Sequence, residues 1–440
     1  MTDFTIIFRS LAARLFSTAT TVITVAVAVA LMLVLLSMRD AGRKAFERGS
    51  GNMHMLVSAE PGSMVSVLNS VFYADAPDRS IPWATYEKIA EHWALDPESG
   101  GFAIPLQIGD NYRGLPIVAT TPEFFTRFEP VAGHPWRLRE GRFFERPWEV
   151  VVGAVAARQA GLRVGSHIHL THGADERGHE HHEFGYDVVG ILEPTGSSHD
   201  RALFTDLISA WILHAHDRRE REGLVEAAHH HGEHEAHSHD NPGTTEADLL
   251  PSDRKITGIY LRAATRPGAA GSAAIGPLFA ELRAQSGLTV ADPVAEIGNL
   301  FAIVSNIDQI LIGMAAVVLV SSGIAIMLAL YNSMEQRRRQ IAVFRVLGCS
   351  RGRIFNLVLT ESAIIGLLGA AVGVLLSVAG SWAVAAALRQ RVGLVIEPRL
   401  GLDWTLYVVA GTVVLAAVAG IVPAVMAYRT SVANNLRPLG

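Results

Sequence analysis

A single cysteine, Cys349, is the only thiol in 440 residues. That excludes an intrachain disulfide and any zinc site built from several cysteines. A sizeable domain outside the cytoplasm must then fold on its apolar core alone, which a chain of this length can supply. Lysine is nearly as scarce, with only Lys44, Lys88 and Lys255. None of them follows the glycines of a GxxxxGK[ST] phosphate loop, so the chain does not bind and hydrolyse ATP by that route. An HExxH zinc-protease pair is also missing, which leaves an enzyme reading little to stand on. Charged residues make up only 18% of the chain, and the formal net charge of −5 argues against general nucleic-acid binding.

Apolar length is what the chain has in abundance. Half of the residues are hydrophobic, and the mean hydropathy is +0.28. Those values point to a mixture of membrane and soluble parts. Four runs reach the roughly 20 residues that cross a bilayer as helix: Thr18–Leu36, Ile310–Leu330, Ser362–Leu388 and Trp404–Tyr428. The first follows Arg9 and Arg14 but is long for a signal peptide. The "SMRDAGRK" after it offers no small-x-small cleavage site, so it reads as an uncleaved anchor. Residues 1–17 ahead of it carry Phe4, Ile7, Phe8, Leu11 and Leu15 at helical spacing. That segment is either an interfacial amphipathic helix or an early start of the span. No charged residue occupies the middle of a span, and Asp308 and Glu361 fall at span ends where they stay wet. The pattern counts against a proton- or cation-coupled transporter.

Arginine sets the orientation. Arg9 and Arg14, six arginines in the 331–355 loop, and Arg429 and Arg437 in the 429–440 tail lie on one side if all four runs span. That side is expected to be the cytoplasm. Arg389, Arg391 and Arg399 in the opposing loop, 389–403, weaken the bias without reversing it. Residues 37–309 then lie outside. Within them "WEVVVGAVAARQAGLRVGSHIHL" reads as strand, short helix, glycine turn and strand. "FGYDVVGILEPTG" and "KITGIYLRA" read as further strands, and "GPLFAELRAQ" has helical spacing. The stretch from His214 to Asp253 is polar and is expected to be a mobile loop. The fold class that follows is a membrane protein with four transmembrane α-helices and a large α+β domain inserted between spans one and two.

Fifteen of the 18 histidines lie between residues 167 and 239. They include His167, His169, His172, His179, His181 and His182 in one tract, 172–182 being its loop. A second tract, within 214–240, holds His229, His230, His231, His234, His237 and His239. Neutral imidazoles with interleaved Glu180, Glu183, Glu233 and Glu235 suit zinc, copper or nickel. His167 and His169 alternate along a strand and so share a face. Weak, multi-site zinc capture by these tracts is the expectation. A solvated loop without metal, a single ordered site and pH sensing are the alternatives.

The segment "YNSMEQRRRQIAVFRVLGCSRGRIF", 331–355, carries six arginines against one acid, Glu335, a local charge of +5. Its arginines alone fix topology and attract anionic lipid. An apolar pattern runs through it as well. In a helix from Glu335, Ile341, Phe344, Val346 and Leu347 form a face that a partner protein is expected to bury, with a turn at Gly348. Gly369 and Gly373 in the third span form a GxxxG pair that admits close helix approach, within the chain or to a second copy.

These stretches resemble the FtsX/MacB-type permeases of ABC transporters, both in layout and in motif. "NSMEQRRRQIAVFRVLGCSRGRIFNLVLTESAIIGLLGAAVG" is similar to the family's passage from second to third span. The features in step are Glu335, Arg338, Ile341, Arg345, Leu347, Gly348, Glu361, Gly366, Gly369 and Gly373. "GIVPAVMAYRTSVANNLRPLG" resembles its closing segment through Pro423, Ala424, Ala427 and Leu436. "EGRFFERPWEVVVGAVAARQAGLRVGSHIHL" and "YDVVGILEPTGSSHDRALFTDL" resemble its extracytoplasmic domain. The chain departs from the family pattern at "EQRRRQIAVFRV", where Gln and Ala stand in place of Glu-Ile-Gly, and in its histidine loops.

The resemblance implies a permease subunit without its own ATPase. Two copies of a separate ABC ATPase, carrying ATP and Mg, would dock at Glu335, Arg338, Ile341, Phe344, Arg345, Leu347 and Gly348. Gly366, Gly369 and Gly373 would pack helices, and a second permease copy or a homologous permease would sit alongside. The expected place is a bacterial inner membrane, with both termini cytoplasmic and the large domain periplasmic. The expected mode is mechanical: the exported domain moves instead of substrate passing between the spans, in a zinc-related or a lipid, lipoprotein or peptide export system. Two alternatives keep the layout. One is a regulator that activates a periplasmic partner such as a cell-wall hydrolase, and the other is a metal-capturing membrane protein.

Overall fold

The computed structural model describes residues 3–12, 14–172, 180–224, 244–265, 271–346, 348–391 and 400–429. It divides into two compact units, residues 1–42, 303–390 and 396–440 in one and residues 43–302 and 391–395 in the other. The chain begins with α1 (Asp3–Ala12) and the long α2 (Leu15–Gly49). Then come β1 (Met55–Ser58), α3 (Ser63–Val71), β2 (Ile81–Pro82), α4 (Trp83–Ala90), β3 (Phe102–Tyr112) and β4 (Leu115–Thr120). Next are α5 (Glu123–Thr126), β5 (Leu138–Gly141), β6 (Glu149–Val152), α6 (Ala154–Ala160), β7 (His167–His172) and β8 (Glu180–Leu192). The rest of the α/β unit supplies β9 (Leu203–Asp206), α7 (Leu207–Arg221), β10 (Lys255–Ile256), β11 (Gly258–Arg262), α8 (Ile275–Arg283) and β12 (Thr289–Ala291). Three long helices close the chain: α9 (Pro293–Val346), α10 (Arg351–Arg391) and α11 (Leu402–Arg429).

Ten strands form one mixed sheet in the order β12-β1-β11-β3-β4-β9-β6-β8-β5, with β7 paired to both β3 and β8. Local chemistry explains several of its joints. β3 and β4 meet in a two-residue hairpin, Tyr112 opposite Leu115. Arg113 and Gly114 both take positive φ there, at 51° and 74°, the handedness that matches strand twist. Asn111 Oδ1 accepts from the Gly114 amide at 3.0 Å and locks the turn. β1 is buried on both faces and pairs antiparallel with β11 and β12. The strand that follows α2 therefore lies beside the strand that leads into α9. Asp292 starts α9 by accepting from the Val294 and Ala295 amides at 2.9 and 3.1 Å, with Pro293 at the first helical position, where its missing N–H costs nothing.

The expected strand, helix, turn and strand of 148–170 appear as β6, α6 and β7, and the 276–285 helix as α8. The His214–Asp253 stretch departs from expectation. Its first eight residues complete α7, which Asp206 caps by accepting from the Ile208 amide at 2.8 Å. Its end is pinned by Arg218, whose guanidinium holds Asp253 through Nε and Nη2, both at 2.9 Å. Polarity misled here because the first turns of α7 are largely apolar and buried nearly all round, and only its last turns are charged.

An aromatic cluster fills the core of this unit. Phe124 is fully buried and lies against Phe128, Trp136 and Phe204 at centroid distances of 5.1, 5.5 and 5.1 Å. His199 is also fully buried among these rings, its Nδ1 2.6 Å from the Tyr73 hydroxyl. Burial pushes its pKa down to about 3, opposed by the Gly49 backbone, so the ring is neutral.

The other unit is helical. Among the described residues four helical stretches are long and apolar enough to cross a membrane: Leu15–Arg43, Gln309–Met334, Arg351–Ala387 and Leu402–Arg429. The four expected runs fall within α2, α9, α10 and α11. The helices overrun the runs, because polar residues at either end continue the helix beyond its apolar middle. α1 is a separate helix from α2; Ile7, Ser10 and Leu11 are buried, whereas Phe8 is 67% exposed.

Candidate functional site

The segment expected to meet a partner is helical through Val346, as the end of α9. Gly348 then takes φ +96°, the left-handed conformation that ends helices at little cost in glycine. Its amide reaches back to the Arg345 carbonyl at 3.2 Å. Ser350 starts α10, its hydroxyl accepting from the Arg353 amide at 3.3 Å. The 331–355 loop is thus two helices joined by a tight turn. Gly348 to Gly352 also spells G-x-S-x-G, but Ser350 sits between two helices and caps the second. It lacks the strand–turn–helix setting that exposes a nucleophile.

One expected partner-facing residue is already covered. Ile341 is 7% exposed and packs with Met334, Ile354, Val358, Ala424 and Ala427. Spacing could not separate this internal contact from an external one, because the ends of α10 and α11 that cover Ile341 come later in the chain. Among the described residues near the end of the same helix, Val343, 46% exposed, and Val346, 64% exposed, remain open. They stand three residues apart, on one side of the helix. Arg345 is half-buried, and Arg351 and Arg353 are exposed. The Arg351 guanidinium lies 5.9 Å from the Tyr428 ring and holds the turn to the end of α11. Leu347 and the side chains of Glu335, Arg338 and Phe344 lie outside the described residues.

The small residues of α10 serve contacts within the chain. A Cβ on Gly369 would stand 2.6 Å from Val25, and one on Gly373 would stand 2.7 Å from Val29 and 2.8 Å from the Ala26 carbonyl. α2 and α10 therefore approach along the GxxxG pair. Gly366 is matched to Ala416 on α11 at 2.5 Å. Glu361 departs from expectation: it is only 7% exposed and accepts from the Ser10 hydroxyl at 2.7 Å. The partner comes from α1, a segment too far off in sequence for any pattern to pair with it.

The histidines separate into different environments. His167 is half-exposed on β7 with Nδ1 2.9 Å from Asp187 Oδ1, and its ring lies 5.2 Å from that of His169. They share a face as expected. His216 is buried, Nδ1 3.1 Å from the Thr244 hydroxyl. His179, His229, His230, His231, His234, His237 and His239 lie outside the described residues, as do the side chains of His172, His181 and His182. Among the described residues no three His, Cys, Asp or Glu side chains converge to hold a metal ion.

Two family models match this architecture. The MacB-like periplasmic core domain covers residues 18–249, and the FtsX-like permease C-terminal covers residues 312–432. The chain belongs to the FtsX/MacB-like permease family. It is an ABC transporter permease of that type and a membrane protein. FtsX/MacB-like permeases generally work with an ABC ATPase and are not themselves catalytic. The MacB-like match includes both histidine tracts, and the FtsX-like match takes in the exposed Val343 and Val346, the Gly348 turn and the packing glycines. A search of curated proteins returns no match.

Proposed function

We propose that the chain couples ATP hydrolysis in a separate ATPase to movement of its own α/β domain. The ATPase docks on the last turns of α9 and the first of α10, where Val343 and Val346 are uncovered and Arg345, Arg351 and Arg353 supply positive charge. The observation that carries this reading is the continuity of α9. It is one helix of 54 residues, from Asp292 at the end of the sheet to the turn at Gly348. At about 1.5 Å per residue such a helix is on the order of 80 Å long. A push at one end of a continuous, hydrogen-bonded helix is felt at the other.

The root of α9 supports the same view. β12 hands directly into it, and β12 is hydrogen-bonded to β1, which follows α2. Ser63 on α3 donates to Glu296 in the first turns of α9 at 2.8 Å. Displacement of the first and second spans is, on this reading, passed to the sheet through β1 and β12. In this reading residues 335–353 and both termini are cytoplasmic and the α/β domain is periplasmic. Two permease chains and two ATPase subunits make the working assembly.

The test is affinity purification of the full chain from native membranes. An ABC ATPase is expected to co-purify, and Val346→Asp or Arg345→Glu to reduce its recovery at least tenfold, a loss of about 1.4 kcal/mol or more. Val346 is exposed, so its substitution leaves the fold intact. An ATPase that stays bound and fully active on both variants would contradict the docking site.

A further inference from the structure

A cavity of about 320 Å³ opens in the α/β unit beside the last turns of α7, walled also by Gln107 of β3 and by Ser252 and Lys255 near β10, with two acids, Asp217 and Asp253, on the same wall against three cations, Arg218, Arg221 and Lys255. Neither the coupling reading nor the family match assigns it a role. Its charges are unequally committed. Arg218 is taken up by Asp253 on two nitrogens and by Glu222 at 3.0 Å. Arg219, on the same helix, is paired with Asp248 at 2.7 Å. Arg221 is placed differently. Its Nε donates to the Asp217 carbonyl one turn back at 3.0 Å, which aims the guanidinium without neutralising it.

Arg221 is exposed, and among the described residues no carboxylate pairs with it. Lys255 is exposed and makes no ion pair within 4 Å among them, although the Asp253 carboxylate, which Arg218 holds, is near enough to feel its charge. Its backbone is pinned in β10 and accepts from Trp211 Nε1 at 2.7 Å. Two cations thus line one cavity with no close ion pair of their own among the described residues. On the same wall, Gln107 Oε1 is buried and receives no hydrogen bond among the described residues. A buried acceptor without a donor is costly, and buried polar groups are normally satisfied. Ser80 and Ser252 line the same space.

Spare cations and a spare acceptor lining one cavity call for one kind of ligand. We infer that this cavity binds a small oxyanion that also carries hydroxyl groups. Its phosphate or carboxylate meets Arg221 and Lys255, and a hydroxyl donates to Gln107 Oε1. The volume is at the small end of ligand pockets, about 300–1,000 Å³, and suits a molecule of three to six carbons. Planar, always-charged guanidinium and mobile ammonium are the usual pair for such oxyanions.

The test is isothermal titration of the purified full chain, in uncharged detergent at low salt, with glycerol 3-phosphate, glycerate and glycerol. The phosphate and carboxylate arms distinguish the two oxyanion chemistries, and glycerol measures the hydroxyl part alone. At least one anion is expected to bind, glycerol to bind at least tenfold more weakly, and Arg221→Ala with Lys255→Ala to weaken the anion at least tenfold. Inorganic phosphate, which lacks the hydroxyls, is expected to bind more weakly than glycerol 3-phosphate to the parent. It should bind about equally with glycerol 3-phosphate to Gln107→Leu. Circular dichroism of the variants checks that the fold is kept. Failure of both anions to bind the parent would overturn the inference, and so would unchanged anion binding by the folded Arg221→Ala, Lys255→Ala variant.

Discussion

Gly373→Leu is expected to break the packing of the first span on the third. The space beside Gly373 is already filled: even a methyl group there would stand 2.7 Å from Val29 and 2.8 Å from the Ala26 carbonyl. A backbone carbonyl in the middle of α2 cannot swing aside as a side-chain tip can, so α2 and α10 must separate. Van der Waals contact between close backbones is a main source of helix association in a bilayer, where no hydrophobic effect drives it. Overpacking of this kind costs about 1–3 kcal/mol in a well-filled core, and leucine adds three more carbons beyond the clashing Cβ. Gly411→Leu on α11 is the matched control, because nothing lies within 4 Å of the place its Cβ would take. Thermal unfolding in detergent should show Gly373→Leu clearly destabilised and Gly411→Leu close to the parent. Equal midpoints would remove the helix contact described here.

The second large effect is a pH dependence carried by His199. In the unfolded chain its imidazole titrates near 6.5, while in the fold burial holds it at about 3. Below pH 6.5 the unfolded state takes up a proton that the folded state refuses. The associated stability is therefore present above pH 6.5 and is lost progressively as pH falls toward 3. Between pH 7 and pH 5 the loss is about 2 kcal/mol. His199→Gln keeps a polar group toward Tyr73 and cannot titrate, so it should abolish that part of the pH dependence. Hydrogen exchange of peptides covering 199–206, at pH 7 and pH 5, gives the reading. A parent and variant that lose protection equally on acidification would show that His199 is not the group responsible.

Composition and spacing gave away much of this fold, and the reasons differ by element. The membrane helices are legible because about 20 apolar residues in a row have few other uses. β6, α6 and β7 are legible because their hydrophobic period changes within one short stretch and glycine marks the turn. Other features depend on residues far apart in the chain. Ile341 reads as a partner contact until Met334, Ile354 and Ala424 close over it. Glu361 reads as a wet span end until Ser10 arrives from α1. The pairing of β1 with β12 joins residues 56–58 to 289–291, a separation no local pattern encodes. His214 and His216 looked like part of a histidine loop, yet they belong to α7, because tract composition outweighed the apolar residues just before them.

The cluster of uncovered valines beside the Gly348 turn was half visible. The apolar pattern from 341 to 347 pointed to a binding surface, but not to which of its residues the protein itself would use. Among the described residues of 341–347, Val343 and Val346 are the apolar side chains left exposed after the three helix ends have packed. Among the described residues the candidate docking face excludes Ile341 and is shifted around the helix toward Val343 and Val346.

Coupling through α9 requires that this helix cross the membrane with its ends on opposite sides. The direct measurement replaces Cys349 with serine and introduces one cysteine at a time, Gln340→Cys on the last turns of α9 or Ala132→Cys on an exposed loop of the α/β domain. A membrane-impermeant maleimide is applied to intact cells whose outer layers have been made permeable. Labelling at 132 in those cells, with labelling at 340 only after the inner membrane is opened, is the predicted result. Reaction of both positions from the same side would contradict the mechanism.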